Sequence, residues 1–364
     1  MPEKILQKQD LLDILDGCTV LGTGGGGELS EGLMYIDYAF DQGKTFKLIS
    51  INDAPQDAYV CTPYLLGALV EPSDTNDTPN LPILNAFERL KGYTKQNFYG
   101  TICCELGGSN SAISFMLAAM FDGYIIDADP AGRAVPEITH STFYLNNLPA
   151  WPIVSANEHG EVYICEHIAD DLRAETVMRS LSQISGNTMS VIDHAMPIKD
   201  IKHGVIEGTI SLAMSIGKFL RTYPGNNINK LNALADTYHG MMVFRGEVLS
   251  LTFSEQDGFT VGTVLLKGEH EFAGSEYLIQ VKNENMAGLL NGTLHTCIPD
   301  LICCFDEANM RPITNPNYSV GMRVAVLLLP APEAFLSAEG LSIFGPQYAG
   351  FNTEFVSLLD KRGR

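Results

Sequence analysis

Between positions 105 and 140 the chain places Glu105, Asp127, Asp129, Arg133, Glu137 and His140, groups able to move protons, hold a cation or pair with an anion. Alternation along an extended segment sends Asp127 and Asp129 to the same face, where they can bind one metal ion or split acid and base roles. Arg133 is suited to neutralise those aspartates or to hold a substrate carboxylate bidentately. Glu137 lies three residues before His140, which can join the same site as ligand or proton shuttle. Each group also has a plainer reading. Aspartates bond turn N–H groups, an arginine pairs with a neighbouring carboxylate, and a solitary histidine is often just hydrogen-bonded. Spacing alone leaves both readings open.

A second feature is the run Gly22-Thr23-Gly24-Gly25-Gly26-Gly27, five glycines in six positions between two segments of helical periodicity. Glycine serves where the backbone takes positive φ or approaches something that a Cβ would block. Successive N–H groups leading into a helix also make an anion site. The phosphate fingerprints do not fit: no Gly-Lys-Ser/Thr follows, and a GxGxxG through Gly22, Gly24 and Gly27 follows a helix rather than a strand. Glu28 adds a negative charge where a phosphate would sit. The reading that remains is a backbone wall beside an acidic crevice. Ser109 and Asn110 follow Gly107-Gly108 as N-cap residues of a further helix, whose N-terminus can present donors to an oxyanion. Asp193-His194 ends a later strand and offers an imidazole oriented by a carboxylate, but its expected place is solvated surface. The other histidines show no HxH, HxxxH or HExxH relation, and the eight cysteines, without CxxC spacing, read as buried free thiols.

The elements that must position these groups follow from periodicity. Helical patterns occupy residues 11–18 and 33–40, and strands are predicted at 46–51 and 58–63. A helix at 81–96 has a turn-rich entry at 76–79. A strand over 98–104 runs into Glu105, a helix follows at 111–121, and a strand at 124–126 runs into Asp127-Ala128-Asp129. This is a βαβ unit, so the sheet is parallel and the three carboxylates lie outside the carboxyl ends of adjacent strands. A hairpin at 151–165, a helix at 171–184, a strand at 189–194 and a helix at 208–221 come next. From about Met241 the pattern is β-rich, with strands at 246–253, 260–266, 276–281, 301–305 and 323–329. The expected organisation is an α/β domain over residues 1–168, with a mainly parallel sheet, and a β-rich α+β domain over 169–364.

The 364 residues carry 23 basic and 43 acidic side chains, a formal charge of −20. That balance argues against nucleic acid or an anionic membrane as partner. No apolar run reaches a membrane span, and Met1-Pro2-Glu3-Lys4 opens no signal-peptide apolar region. A cytoplasmic protein acting on a small molecule, as a homo-oligomer, is expected.

Together, Leu21-Gly22-Thr23-Gly24-Gly25-Gly26-Gly27, Glu105-Leu106-Gly107-Gly108-Ser109-Asn110, the stretch from Asp127 to Glu137 and the late Gly345-Pro346-Gln347-Tyr348-Ala349-Gly350-Phe351 carry a resemblance. The chain resembles the S-methyl-thiohydantoin desulfurase-like family, whose members are often found beside hydantoinase/oxoprolinase proteins. The resemblance implies two domains and metal-assisted hydrolysis of a thiohydantoin-type ring, with release of sulfide. On that reading a divalent metal, zinc among the candidates, is held by Asp127, Asp129 and His140. Glu105 and Glu137 move protons, while Arg133, Asn110 and the loop at Thr23, Gly24, Gly25 and Gly26 hold substrate and developing charge. The other role it implies is a non-catalytic accessory or ligand-binding subunit of a hydantoinase/oxoprolinase partner. Pro130 stands where the family usually has Gly, and Gln347 where it usually has Arg.

Overall fold

A computed structural model describes residues 3–68, 81–225, 227–358 and 360; the turn expected at 76–79 lies outside them. The chain opens with β1 (Lys4–Leu6), α1 (Lys8–Leu21), α2 (Leu29–Asp41), β2 (Phe46–Ile49), β3 (Tyr59–Gly67), α3 (Pro82–Thr94), β4 (Phe98–Thr101), α4 (Gly108–Met120), β5 (Tyr124–Ile126) and β6 (Ala128–Asp129). There follow α5 (Thr142–Leu145), β7 (Ile153–Ala156), β8 (Val162–Cys165), α6 (Asp171–Ile184), β9 (Thr188–Pro197), α7 (Ile198–Ile201), β10 (Ile206–Glu207), α8 (Thr209–Thr222) and α9 (Ile228–Thr237). The last part holds β11 (Met241–Gln256), β12 (Phe259–Gly268), β13 (Glu276–Lys282), β14 (Glu284–Leu290), β15 (Thr293–Cys297), β16 (Leu301–Asp306), β17 (Arg311–Pro312), β18 (Arg323–Leu329) and α10 (Ala338–Ile343).

Local chemistry sets several of these boundaries. Asp10 takes the Gln7 N–H at the start of α1, Pro82 opens α3 where its missing N–H costs nothing, and Asp170 caps α6 through the Arg173 N–H. The expected βαβ unit is present: β4 and β5 pair in parallel, joined by α4. Strand β4 ends at Thr101, three residues earlier than its apolar run suggests, and Ile102 instead donates to the Cys61 carbonyl.

Two sheets of eight strands result. The first has the order β1-β2-β5-β4-β3-β9-β7-β8, with a parallel centre (β2, β5, β4, β3) and antiparallel flanks. The second, β15-β14-β13-β12-β11-β18-β16-β17, is antiparallel throughout. The architecture is thus the expected one, an α/β part with a mainly parallel sheet and a β-rich part. Sequence periodicity did not single out α9, β14 or β15.

One apolar core runs from Phe46 and Ile125 of the first sheet, through α1, α4 and α8, to Leu301, Phe305 and Leu327 of the second. Adjacent Cys303 and Cys304 point to opposite sides of β16, one into this core and one into the core of the second sheet. Helices α1 and α8 touch backbone to backbone: a side chain at Gly17 would overlap the Ala213 carbonyl, and one at Gly217 the Asp13 carbonyl. Among the described residues no helix is long and apolar enough to cross a membrane.

Candidate functional site

The glycine run is a seam between the two parts of the chain. A Cβ on Gly24 would overlap the Asn315 side chain, and one on Gly25 the carboxylate of Glu284. On the other side, Gly26 abuts Gly107 and Gly27 abuts Ser109. The Gly26 carbonyl accepts the N–H groups of both Ser109 (3.1 Å) and Asn110 (3.0 Å). The first donors of α4, expected to face a ligand, are therefore spent inside the protein.

Beside this seam lies a cleft of about 930 Å³, whose lining includes Gly26, Gly27, Glu105, Asn110, Glu137 and Glu284. Glu105 stands in the loop after β4. Its Oε1 accepts from Asn110 Nδ2 (2.6 Å) and its Oε2 from the Val135 N–H (2.7 Å). Burial pushes its pKa up to about 7, against the lowering effect of those two bonds. Asn110 is itself fixed, its Oδ1 accepting the Leu65 N–H at 2.8 Å, so it orients Glu105 from the cleft wall. From the second sheet comes Glu284, the first residue of β14, only 2% exposed and with no hydrogen-bond partner at Oε2. Burial, and then the charge of Glu105, push its pKa well above the carboxylate range. Two buried carboxyl groups, one in the loop after β4 and one at the start of β14, thus line one cleft, and the charge of Glu105 opposes the ionisation of Glu284.

Glu137 is engaged differently. Its Oε1 accepts from Lys282 Nζ (2.7 Å) and from the Tyr348 hydroxyl. Burial would raise its pKa, but the Lys282 ammonium and the Tyr348 hydroxyl outweigh that and hold it below the usual value. His140 packs its ring against Phe344 and Tyr348, with centroids 4.9 and 4.3 Å away. Burial drives its pKa down to about 3, so the ring is neutral.

Arg133, Asp127 and Asp129, also singled out from the sequence, sit apart from the cleft lining. Arg133 is fully buried and donates to the carbonyls of Ala134 (3.0 Å), Pro299 (2.8 Å) and Asp300 (3.2 Å) and to Thr23 Oγ1 (2.8 Å). Its guanidinium, lowered to about 10 by burial, ties the glycine run to the second sheet, and Thr23 is its acceptor. Asp127 follows β5 but turns toward α8: Ser211 gives it a backbone N–H (2.9 Å) and its hydroxyl. Asp129 lies on β6, paired with β10, and its Oδ2 accepts the N–H groups of Ala131 (2.9 Å) and Gly132 (2.8 Å). Its Oδ1 has no partner, and burial pushes its pKa up to about 7.

A metal held by Asp127, Asp129 and His140 does not fit this arrangement. Both oxygens of Asp127 are taken by Ser211, one oxygen of Asp129 closes its own turn, and His140 belongs to an aromatic cluster. Among the described residues no group of three or more His, Cys, Asp or Glu side chains is placed to hold a metal ion. Gln347 is exposed and lies outside the cleft lining, so the missing arginine is not a hole in this wall.

Two family models cover nearly the whole chain: S-Me-THD-like, N-terminal domain, over residues 9–167, and S-Me-THD-like, C-terminal domain, over 169–358. The chain belongs to the S-Me-THD-like family. Its fold is similar to that of a crystal structure of a protein from Chromobacterium violaceum, with TM-score 0.81 and 19% identity over 97% of this chain and 99% of that one. No curated protein matches significantly.

The S-Me-THD-like chain keeps its most informative side chain, Glu284, outside the motifs that stand out in its sequence. Glu284 is a single carboxylate in Asn283-Glu284-Asn285, a polar triad between two apolar strands, and that triad was the available signal. Asp193 and His194, expected on solvated surface, are instead buried and line the cleft.

Proposed function

We propose that this member of the family hydrolyses the carbon–sulfur bond of a thiohydantoin-type ring, with Glu105 and Glu284 as its acid–base pair. The observation that carries this reading is the presence of those two buried carboxyls in the lining of one cleft, with the charge of Glu105 opposing the ionisation of Glu284. Like-charged neighbours in a dry site divide into one base and one acid near neutral pH. Glu105 is the readier to ionise, because Asn110 and Val135 already donate to it.

With a ring thione in place, Glu105 takes a proton from the attacking water while Glu284 protonates the sulfur. The product of addition is a carbon bearing OH and SH. On collapse Glu284 recovers the hydroxyl proton, the C–S bond breaks, and hydrogen sulfide leaves with the proton from Glu105. A hydantoin remains, and both carboxyls return to their starting states. No step passes through a metal.

The test is sulfide release from 2-thiohydantoin by the purified chain, alongside Glu105→Gln and Glu284→Gln. Each substitution is expected to lower kcat/KM by roughly 10²–10⁴-fold with the thermal midpoint largely kept. Wild-type rates in both variants would overturn the assignment.

A further inference from the structure

Helix α6 delivers to the cleft wall a buried charge that the Glu105–Glu284 reaction does not use. Glu175 and Arg179 stand four residues apart on one helix face, are 7% and 6% exposed, and Arg179 belongs to the cleft lining. Arg179 Nε donates to Glu175 Oε1 (2.8 Å), Nη2 to the Pro136 carbonyl (2.8 Å), and Nη1 to the carbonyls of Gly258 (3.1 Å) and Gly67 (3.5 Å). The guanidinium lies over Phe259, 4.0 Å from the ring centroid, and Lys282 Nζ lies 4.1 Å from the same centroid. In the turn between β11 and β12, Gly258 takes φ +79°, and a Cβ there would come within 2.6 Å of Arg179 Cδ. The turn is shaped to admit this side chain.

With its fork filled by protein acceptors, Arg179 has nothing left for a substrate anion. A buried ion pair is also a poor source of stability, because desolvation offsets much of its attraction. What the pair organises is visible in its contacts. The Pro136 carbonyl goes to Arg179 and the Ile138 N–H to Glu175 Oε2 (2.9 Å), so the pair brackets the peptide groups on either side of Glu137. One residue earlier, the Val135 N–H donates to Glu105 Oε2 at 2.7 Å. The ring of Pro136 locks its φ, so the hold on its carbonyl is passed to Val135. The charges around Glu105 are mixed: Asp129 on β6 opposes its ionisation and Arg179 favours it, while Glu105 in turn pushes up the Cys104 thiol and Glu284. Arg133 and Arg179 oppose that rise at Glu284.

We propose that the Arg179–Glu175 pair is the positioning unit of Glu105: it brackets residues 136–138, keeps the Val135 N–H on the Glu105 carboxylate and sets a fixed positive charge in the cleft wall. This rests on the hydrolytic reading of the cleft and deepens it. Glu105 takes a proton from water only when it is ionised, and a donor and a cation both favour that form. Arg179 itself touches no reacting atom. Without it Glu105 keeps the Asn110 amide but loses the charge and the fixed Val135 donor, so more of it is protonated near neutral pH.

The experiment follows the carboxyl-carbon NMR signal of Glu105, assigned by its absence in Glu105→Gln, through a pH titration of the full-length wild type, Arg179→Met and Arg179→Lys. Sulfide release from 2-thiohydantoin is measured over the same pH range. Arg179→Met is expected to move the Glu105 titration up by about one pH unit, to carry the acid limb of kcat/KM with it, and to lower kcat/KM roughly tenfold on that limb. Arg179→Lys keeps the charge but not the fork; it shifts both in the same direction by less, and carries the comparison if Arg179→Met does not fold. In the Glu105→Gln background, Arg179→Met changes kcat/KM by no more than about twofold, because the two residues act as one unit. Thermal melts accompany each variant. A Glu105 titration that stays at the wild-type midpoint while the melting temperature falls marks Arg179 as scaffold and overturns the proposal, as does a loss that persists in full without Glu105. A wild type that does not turn over 2-thiohydantoin overturns the hydrolytic reading, and the carboxyl titration then still decides whether Arg179 positions Glu105.

Discussion

Arg133 and Asp127 show how one residue type can serve chemistry or scaffold, with the choice made by its neighbours. Arg133 spends its donors on three backbone carbonyls and the Thr23 hydroxyl. Replacing it with Met strands buried acceptors, so we expect Arg133→Met to lose about 3 kcal/mol or more, read as a lower urea midpoint. A midpoint equal to wild type would show that those bonds contribute nothing. Asp127 lies at the N-terminus of α8 through Ser211. Asp127→Ala is expected to cost about 1 kcal/mol, as other N-terminal caps do, while turnover by the folded fraction stays within a few-fold. Abolished turnover with intact stability would return Asp127 to the reacting centre.

Among the elements, helices α1 to α4, α6 and α8 and most of the longer strands were legible because their apolar periods are local properties. Residues 171–184 were expected as a helix and form α6 with those bounds, and the βαβ unit around α4 is where its pattern puts it. Strand β14 was not legible, because Asn283-Glu284-Asn285 interrupts the alternation and only burial against the glycine seam accounts for its polar start. That seam makes a sharp expectation. Gly25→Ala pushes into the Glu284 carboxylate, so it should lose about 1–3 kcal/mol and also lower turnover by displacing Glu284. Gly17→Ala, at the α1–α8 contact outside the cleft lining, should lose comparable stability while the folded protein keeps its rate. Both are checked by thermal melts with rates normalised to folded protein; equal effects on rate would detach the seam from the site.

For the molecule as a whole, pH acts through buried groups with opposite signs. Glu105 and Asp129, raised to about 7, bind protons in the folded state that the unfolded chain has released. Their stabilising contribution is full below about pH 4 and is lost as pH rises through 7. His140, lowered to about 3, works the other way: its contribution is full above about 6.5 and is lost as pH falls. We expect Glu105→Gln to reduce the fall in stability between pH 5 and 8 by something of order 2 kcal/mol, measured as urea midpoints across that range. An unchanged slope would mean that Glu105 is not held in this environment. The sequence by itself determined the family, the two-part architecture and the candidate stretch from Glu105 to His140, because motifs and periods are written in order along the chain. Only the tertiary structure decided which carboxylates meet. Asp127 and Asp129 are two positions apart in sequence yet turn to different partners, while Glu105 and Glu284 are distant in sequence and share a cleft, because burial and charge coupling act through space. The glycine run belongs to both accounts: its composition announced a close approach, and the fold supplied what approaches it.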